Sequence, residues 1–325
     1  MIKLAIVGYG NLGKGVEAAV RQNPDMELVA VFTRRDPETL LLQTPGVPVL
    51  PLEQLDAMAE GLDVLILCGG SATDLPEMTP ALATKCNVVD SFDNHSRIPE
   101  HIAQVHKAAK AAGTTAIVSC GWDPGLFSLA RVYAQAALPK GESYTFWGPG
   151  LSQGHSDAIR RIPGVLDARQ YTVPVEAALE RVRSGENPEL TARQKHTRHC
   201  YVVAEAGADR DRITQTICQM PGYFADYDTY VTFISMEEMK EKHSTMPHGG
   251  KVIRTGNSAD GSCQTIEYSL KLESNPKFTA GILVACARAA VRMHRRGETG
   301  CATMPEIRPC DLLMESIEDI RAHMI

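Results

Sequence analysis

Near its start the chain reads Lys3-Leu4-Ala5-Ile6-Val7-Gly8-Tyr9-Gly10-Asn11-Leu12-Gly13. A buried-strand pattern passes directly into a G-x-G-x-x-G turn, and a helical run, Val16 to Val20, follows. The first glycine permits a sharp turn, the second lets the backbone approach a pyrophosphate, and the third lets the helix pack on the strand. Because the start of the helix then faces the anion, the stretch predicts a dinucleotide-binding turn. A purely structural glycine turn is the alternative.

Composition narrows the class of protein. The 325 residues suit two or three domains, and the net charge of −6 without a Lys/Arg block argues against nucleic acid as the main partner. No apolar run reaches the ~20 residues of a membrane span, and the first residues lack a signal-peptide pattern. The nine cysteines never form a C-x-x-C pair, and the histidines lack metal-site spacing. We therefore expect a soluble cytoplasmic protein with reduced thiols and no metal.

Strand and helix patterns alternate as far as Cys120. Buried-strand patterns occupy residues 26–32, 47–50, 63–68, 87–90 and 115–120, with an amphipathic helix over 99–112. This alternation requires right-handed crossovers and a parallel sheet. The fold class is therefore α/β: a Rossmann-type, doubly wound domain over residues 1–120, with C-terminal helical segments as candidates to complete it, and a second region over 121–325.

Beyond Cys120 the strands are aromatic-rich and alternate with period two. Four such strands lie at residues 144–147, 199–203, 227–234 and 264–272, with a hairpin connection at 256–262. Helices are expected at about 176–184, 210–219 and 278–295. These patterns predict an α+β domain in which one antiparallel or mixed sheet carries a helical layer.

The tip of the second strand bears on the choice of dinucleotide. Thr33, Arg34 and Arg35 follow that strand, and Asp36 comes only after the arginines. An acidic side chain at this point binds the ribose 2′-hydroxyl of NAD, whereas arginine suits the 2′-phosphate of NADP. The sequence therefore favours NADP; two solvated arginines in a surface loop are the alternative.

Ligands of an open α/β sheet bind outside the carboxyl ends of its strands, where polar loops follow two predicted strands. Asp93 lies in the first of these loops and Asp123 in the second. Two carboxylates at adjacent strand ends can converge on an ammonium group, and one of them can accept a proton. The alternatives are an ordinary turn residue for Asp93 and a helix N-cap before Pro124 for Asp123.

Two kinds of segment in the second region also point to a binding site. Residues 146–157 are glycine-dense and have little intrinsic structure, and such segments form anion-binding nests and lids. The stretches 195–199 and 245–250 add cations and hydrogen-bond donors, and arginine is the natural ligand of a carboxylate. Each stretch taken alone is also compatible with a solvated basic loop.

Four stretches together resemble the meso-diaminopimelate dehydrogenases: Gly8 to Gly13, Gly121 to Gly125, Phe146 to Asp157 and Met246 to Gly250. The resemblance runs nearly end to end. It implies reversible, NADP-dependent oxidative deamination at the D-configured carbon of meso-2,6-diaminopimelate. The product is L-2-amino-6-oxopimelate, which cyclises to tetrahydrodipicolinate on the route to lysine and cell wall. The resemblance also implies a homodimer, with residues 121–325 binding substrate and dimerising, and the substrate closed between the two domains.

The resemblance assigns roles to individual positions. Cofactor contacts fall on the glycine turn, the tip of the second strand and three loops: Gly8, Tyr9, Gly10, Asn11, Leu12, Gly13, Thr33, Arg34, Arg35, Cys68, Gly69, Gly70, Ser71, Ser91, Phe92, Asp93, Gly121, Trp122, Asp123, Pro124 and Gly125. Substrate contacts fall on Asp93, Trp122, Asp123, Trp147, Gln153 and Gly154 around the D-centre, and on Thr172, Arg198, His248 and Asn275 around the L-centre. Asp123 is expected to accept or relay the amine proton, with Asp93 and Trp147 as further catalytic candidates.

Two other functions are compatible with the sequence. One is another NADP-linked oxidoreductase with the same two-part organisation, acting on a sugar or a different amino acid. The other is a catalytically silent NADP sensor that regulates a partner. A sensor needs neither the pair Asp93 and Asp123 nor the glycine-dense stretch, so these features favour an enzyme.

Overall fold

The computed structural model describes residues 1–325. Its strands are β1 (Ile2–Val7), β2 (Met26–Thr33), β3 (Val49–Pro51), β4 (Val64–Leu67), β5 (Asn87–Asp90), β6 (Thr115–Ile117), β7 (Gly141–Trp147), β8 (Gly150–Leu151), β9 (Val165–Pro174), β10 (His196–Ala204), β11 (Asp228–Phe233), β12 (His248–Asn257), β13 (Cys263–Leu272) and β14 (Gly300–Ala302). Its α-helices are α1 (Asn11–Val20), α2 (Leu55–Met58), α3 (Leu75–Ala83), α4 (Ile98–Ala112), α5 (Leu126–Ala137), α6 (Gln153–Arg160), α7 (Glu176–Arg183), α8 (Ala192–Lys195), α9 (Arg210–Cys218), α10 (Met236–Lys242), α11 (Asn275–Arg295) and α12 (Ile317–His323).

The chain folds into two compact units. Unit 1 consists of residues 1–129 and 276–325, and unit 2 consists of residues 130–275. The first segment of unit 1 runs past residue 120 to residue 129, and α11, from the C-terminal region that offered candidates to complete this domain, packs into its core. Leu283 and Val291 of that helix lie in the same apolar cluster as Leu4 and Ile6 of β1. The C-terminal segment therefore covers one face of the N-terminal sheet.

Unit 1 is built on a seven-stranded sheet in the order β14-β6-β5-β4-β1-β2-β3, and every pairing in it is parallel. Alternate residues of β1 face opposite sides, since Leu4 and Ile6 join one apolar core and Ala5 and Val7 join the other. Helices cover both faces, and the central strands β4, β5 and β6 are buried throughout, as is usual in parallel sheets. The predicted α/β class with a Rossmann-type parallel sheet is confirmed.

The predicted α+β domain with mixed or antiparallel pairing is confirmed, but unit 2 contains two sheets where one was predicted. A four-stranded sheet has the order β11-β10-β9-β8, and a three-stranded sheet has the order β13-β12-β7. β10 and β11 are parallel because α9 lies between them in the chain as a crossover. The predicted hairpin between β12 and β13 is confirmed, as are the predicted helices that correspond to α7, α9 and α11.

Two further structural findings concern the whole chain. All nine cysteines are free thiols. No helix has both the length and the apolar character needed to cross a lipid bilayer.

Candidate active site

The glycine turn joins β1 to α1 at the carboxyl edge of the sheet in unit 1. Gly8 adopts φ +93°, and a Cβ on Gly13 would lie 2.3 Å from the carbonyl oxygen of Gly8, so a side chain there would force strand and helix apart. A Cβ on Gly10, in contrast, would meet no atom within 4 Å. Helix α1 has no acidic residue in its first turn. The start of the helix is therefore open and electropositive, as pyrophosphate binding requires.

The two arginines after β2 are exposed and are held against neighbouring loops. Arg34 donates to the carboxylate of Asp74 at 2.6 Å, and Arg35 donates to the carbonyl oxygen of Tyr9 in the glycine turn. Asp36 accepts the backbone N–H of Glu38 at 3.1 Å and so is engaged in a local turn. Because an exposed ion pair contributes only about 0–1 kcal/mol, a phosphate can replace Asp74 as the partner of Arg34.

The loop after β4 is held in shape by the carboxylate of Asp74. The N–H of Gly70 donates to Asp74 at 2.8 Å, and this bond, followed by Arg34, holds the pKa of Asp74 below its usual range against the effect of burial. Burial raises the pKa of the Cys68 thiol, which therefore remains neutral. Ser71 accepts the backbone N–H of Asp93 at 3.1 Å, so the loops after β4 and β5 are joined.

The two candidate carboxylates follow β5 and β6, which are neighbours in the sheet. Asp93 is exposed and Asp123 is half-buried. Helix α5 begins at Leu126, three residues after Asp123. Trp122 is only 7% exposed and packs edge-on against Phe127, with ring centroids 5.2 Å apart. The indole therefore anchors the loop that presents Asp123.

The donor set of this edge fits a dinucleotide that carries an additional phosphate. The open start of α1 suits the pyrophosphate. Arg34 and Arg35 supply fixed positive charge where the ribose that carries the 2′-phosphate of NADP would lie. No carboxylate is free at that position, because Asp36 serves as a local cap. The residues present thus match NADP better than NAD.

In unit 2 the glycine-dense stretch is more ordered than its composition suggests. It contains the end of β7, then β8, and α6 begins at Gln153, so the expectation of little structure is wrong. The glycines serve close approach: a Cβ on Gly148 would lie 2.0 Å from the carbonyl oxygen of Thr172, and a Cβ on Gly150 would lie 2.5 Å from Cγ of His248. Gly154 has open space around it, and the exposed Gln153 donates to the sulfur of Met246 at 2.9 Å.

Arg198 is the most heavily buried cation of the candidate set. It is 8% exposed, donates to the hydroxyl of Thr172 directly opposite on β9, and lies 3.9 Å above the ring of Tyr227. Its Nε is buried without a hydrogen-bond partner. Burial lowers the pKa of Arg198, and this shift is opposed by Tyr227 and Cys200 rather than by an Asp or Glu. The protein thus holds a guanidinium in place without supplying its counter-ion, which a ligand carboxylate can provide.

Three histidines surround this cation and stay neutral. Burial lowers the pKa of His155 to about 4 and that of His196 to about 3, and the charge of Arg198 adds to both shifts. Burial and Arg198 also lower the pKa of His248, against a backbone hydrogen bond to Gly249 that raises it. Neutral imidazoles leave Arg198 as the main positive charge of the pocket.

Trp147 is positioned by His196. The backbone N–H of Trp147 donates to Nε2 of His196 at 2.9 Å, and the two rings stack with centroids 5.4 Å apart. Since Nε2 accepts this bond, the imidazole carries its proton on Nδ1. Sequence reasoning missed His196 and Tyr227 as site residues, because the contacts of His196 with Trp147 and of Tyr227 with Arg198 join segments that are distant in the chain.

The structure divides the predicted substrate residues between the units. Asp93, Trp122 and Asp123 belong to unit 1, and Trp147, Gln153, Gly154, Thr172, Arg198, His248 and Asn275 belong to unit 2. Within unit 2, Thr172 and Arg198 are in direct contact, and His248 lies against Gly150, which pairs with Thr172 across β8 and β9. Asn275 begins α11, and its N–H donates to the carbonyl oxygen of Met246 at 3.0 Å.

Comparison with known proteins gives a consistent result. Residues 121–274 match the family described as diaminopimelic acid dehydrogenase C-terminal domain. The meso-diaminopimelate D-dehydrogenase of Ureibacillus thermosphaericus is 57% identical over 100% of this chain and 99% of that protein. The solved structure of the Corynebacterium glutamicum enzyme in complex with DAP is 50% identical, with a TM-score of 0.92 over 100% of this chain and 99% of the other. A solved structure of an engineered D-amino acid dehydrogenase bound to NADP⁺ is 48% identical, with a TM-score of 0.87 over 100% and 99%.

Proposed function

The chain belongs to the meso-diaminopimelate D-dehydrogenases, and on that premise we propose how its residues carry out the reaction. The enzyme oxidatively deaminates the D-configured carbon of meso-2,6-diaminopimelate, with NADP as the acceptor. One water is consumed, and L-2-amino-6-oxopimelate, ammonia, NADPH and a proton are formed. The reaction is reversible, and its product cyclises to tetrahydrodipicolinate in diaminopimelate and lysine biosynthesis.

The proposal rests mainly on Arg198. Its guanidinium is buried, and its Nε has no hydrogen-bond partner. Diaminopimelate has a carboxylate at each end, and the carboxylate of the L-end completes the hydrogen bonds that Arg198 lacks. Thr172 fixes the guanidinium, and His248 and Asn275 complete the contacts to the L-end. A substrate bound by its L-end presents its D-end for reaction, so this cation determines which centre is oxidised.

At the D-end the chain must first make the amine neutral. We assign this step to Asp123, a half-buried carboxylate whose loop is anchored by Trp122. Asp123 accepts or relays the ammonium proton, and Asp93, on the neighbouring loop of unit 1, helps to orient the same centre. Bound NADP supplies the acceptor for the hydride of the D-configured carbon. Water then adds to the resulting imine, and ammonia leaves.

The cofactor would be held by groups of unit 1. The start of α1 binds the pyrophosphate, with Tyr9, Gly10 and the residues up to Leu12 around it. Arg34 and Arg35 bind the 2′-phosphate, beside the hydroxyl of Thr33. The loops after β4, β5 and β6 contact the remainder of the dinucleotide.

The two units are proposed to bind different molecules, and the protein is proposed to form a homodimer. Unit 1 binds the cofactor, and unit 2 binds the L-end of the substrate and forms a homodimer. Support for the dimer comes from the edge strand β13, almost all of which is exposed, including Ile266 and Tyr268 at 37% each. Sedimentation velocity of the purified protein tests the dimer.

A cytoplasmic location is supported by nine free thiols, since oxidising compartments favour disulfides.

The direct test of the function is the initial rate of NADPH formation with meso-, L,L- and D,D-diaminopimelate. Activity is expected with the meso isomer and none with the L,L isomer, which has no D-centre. Activity with the L,L isomer would contradict the assignment of the reacting centre. Tight NADP binding without activity on any isomer would favour the sensor alternative.

A further inference from the structure

The side chain of Asp90, at the end of β5, is fully buried and joins four segments of unit 1. Its Oδ1 accepts the backbone N–H groups of Phe92 at 3.0 Å and Ser119 at 2.9 Å. Its Oδ2 accepts the hydroxyl of Thr79 on α3 and Nε2–H of His101 on α4, both at 2.7 Å. A buried carboxylate with four donors is fully satisfied, and it fixes each donor in place.

Further contacts around Asp90 hold the same two loops. The ring of Phe92 stacks on His101, with centroids 4.2 Å apart and planes inclined by 17°. The carbonyl oxygen of Asp90 accepts the N–H of Cys120 at 2.8 Å, and Ser119 is held at φ +58°. The loop after β5 is thus bound at Phe92, and the loop after β6 at Ser119 and Cys120.

We propose that Asp90, together with His101, is a positioning residue for the oxidation, because it fixes the loops that carry Asp93 and Asp123. The inference rests on the proposed function of those two carboxylates. Asp90 itself is inaccessible and touches no reactant. A small displacement of a catalytic group lowers the rate steeply, so the hydrogen bonds to Phe92 and Ser119 affect turnover more than binding.

The same strand offers a matched control at its other end. Asn87 begins β5, donates to the carbonyl oxygen of Asp63 at 2.8 Å and accepts the N–H of Thr115 at 2.8 Å. It therefore joins β5 to its neighbours at the amino edge of the sheet, as Asp90 does at the carboxyl edge. Asn87→Ala removes a comparable buried hydrogen-bonding group far from the candidate loops.

A conservative replacement separates geometry from charge. In Asp90→Asn the amide oxygen can keep both backbone N–H donors of Oδ1, and the amide N–H₂ can face Thr79 and His101. His101 can then accept at Nε2 by carrying its proton on Nδ1, an atom that is buried without a protein partner. If the role of Asp90 is positional, this variant retains function.

The experiment compares Asp90→Ala, Asp90→Asn and Asn87→Ala by steady-state kinetics, thermal unfolding and hydrogen exchange of backbone amides. Asp90→Ala should lower kcat by about tenfold or more with KM for meso-diaminopimelate within about threefold, and Asp90→Asn should recover most of the loss. Asn87→Ala should lower Tm but keep kcat within about twofold of the wild type. The amides of Phe92 and Ser119 should exchange faster only in Asp90→Ala.

Several results would overturn the inference. They are an unchanged kcat in Asp90→Ala, an equal loss of kcat in Asn87→Ala, or an Asn variant as impaired as the Ala variant. If Asp90→Ala does not fold, His101→Leu decides: a kcat lowered by about threefold or more with faster exchange at Phe92 supports positioning, and unchanged values refute it. A wild-type protein inactive on meso-diaminopimelate would refute the proposed function, whereas the exchange data still report on the anchoring of the loops.

Discussion

Arg198 and Thr172 lie directly opposite each other on β10 and β9, and the guanidinium donates a hydrogen bond to the threonine hydroxyl. The guanidinium carbon of Arg198 also lies 3.9 Å from the centroid of the Tyr227 ring. A long, flexible side chain is thereby reduced to one orientation before any ligand arrives. Preorganisation of this kind lowers the entropic cost of binding a carboxylate and fixes the end of the substrate that it binds.

Replacing Arg198 by methionine removes the charge while keeping much of the side-chain volume. KM for meso-diaminopimelate should rise by about 10- to 100-fold, because charge-assisted hydrogen bonds of ~1.5–3 kcal/mol are lost. Steady-state kinetics with saturating NADP measures this, and an unchanged KM would refute the role of Arg198.

Arg254 provides the control for that variant. It is also a buried arginine of unit 2, 4% exposed, but it donates to the carbonyl oxygens of Leu138 and Pro139 and to the hydroxyl of Ser143. Arg254→Met should therefore lower Tm while leaving KM within about twofold of the wild type. A KM that rises equally in both variants would show general damage to unit 2.

Asp123→Asn tests the proton acceptor. Since an amide cannot take the ammonium proton, kcat should fall by about 100-fold or more, whereas the dissociation constant of NADP should change by less than about threefold. Stopped-flow kinetics and fluorescence titration measure the two quantities. Asp56→Asn, which removes an exposed carboxylate bound only to Lys85, serves as the control. Full turnover in Asp123→Asn would exclude Asp123 as the proton acceptor.

Arg35→Ala tests the choice of dinucleotide. Loss of a cation beside the 2′-phosphate should reduce the ratio of kcat/KM for NADP to that for NAD by about tenfold or more, mainly through KM for NADP. Arg295→Ala, which removes an exposed arginine near Asp63 at the amino edge of the sheet, should leave the ratio unchanged. Equal effects of Arg35→Ala on both cofactors would contradict the assignment of the 2′-phosphate site.

The neutral, buried His196 makes stability depend on pH. Its pKa is about 3 in the folded protein against 6.5 for an exposed histidine, so the unfolded chain binds the proton first as the pH falls. The free energy of unfolding should therefore decrease from about pH 6.5 down to about pH 3, at roughly 1.4 kcal/mol per pH unit for one such group. Urea denaturation at several pH values measures the slope. His196→Gln, whose amide oxygen can still accept the N–H of Trp147, should reduce it; an identical slope would contradict this source.

The fold of unit 1 follows largely from local sequence. The glycine turn, β5 and α4 each satisfy short-range rules of burial and backbone conformation that need no distant partner.

The strands of unit 2 were harder to predict because β12 is central in its sheet and buried on both faces, which removes the period-two signal. In β9, Gln170 and Thr172 are buried whereas Leu166 is 55% exposed. The positions of apolar residues therefore do not show which face of this strand is buried.

The candidate site also contains residues that can be recognised from local sequence and contacts that cannot. Arg34, Arg35 and the carboxylates are visible in sequence because their positions after strand ends have a general meaning in α/β sheets. The contacts of Arg198 with Tyr227 and of Trp147 with His196 depend on strand register across two sheets, which no local pattern encodes. In the sequence Asp90 does not differ from other carboxylates at strand ends. Its role depends on the packing of α3 and α4, which bring Thr79 and His101 to it.

Binding of the L-end through Arg198 leaves the D-configured carbon as the centre that is oxidised. The most direct measurement uses meso-diaminopimelate deuterated at one α-carbon at a time, with the NADPH product analysed by mass spectrometry. Deuterium at the D-configured carbon should be transferred to NADPH, and deuterium at the L-configured carbon should stay in the amino-acid product. Transfer of the label from the L-configured carbon would contradict this assignment.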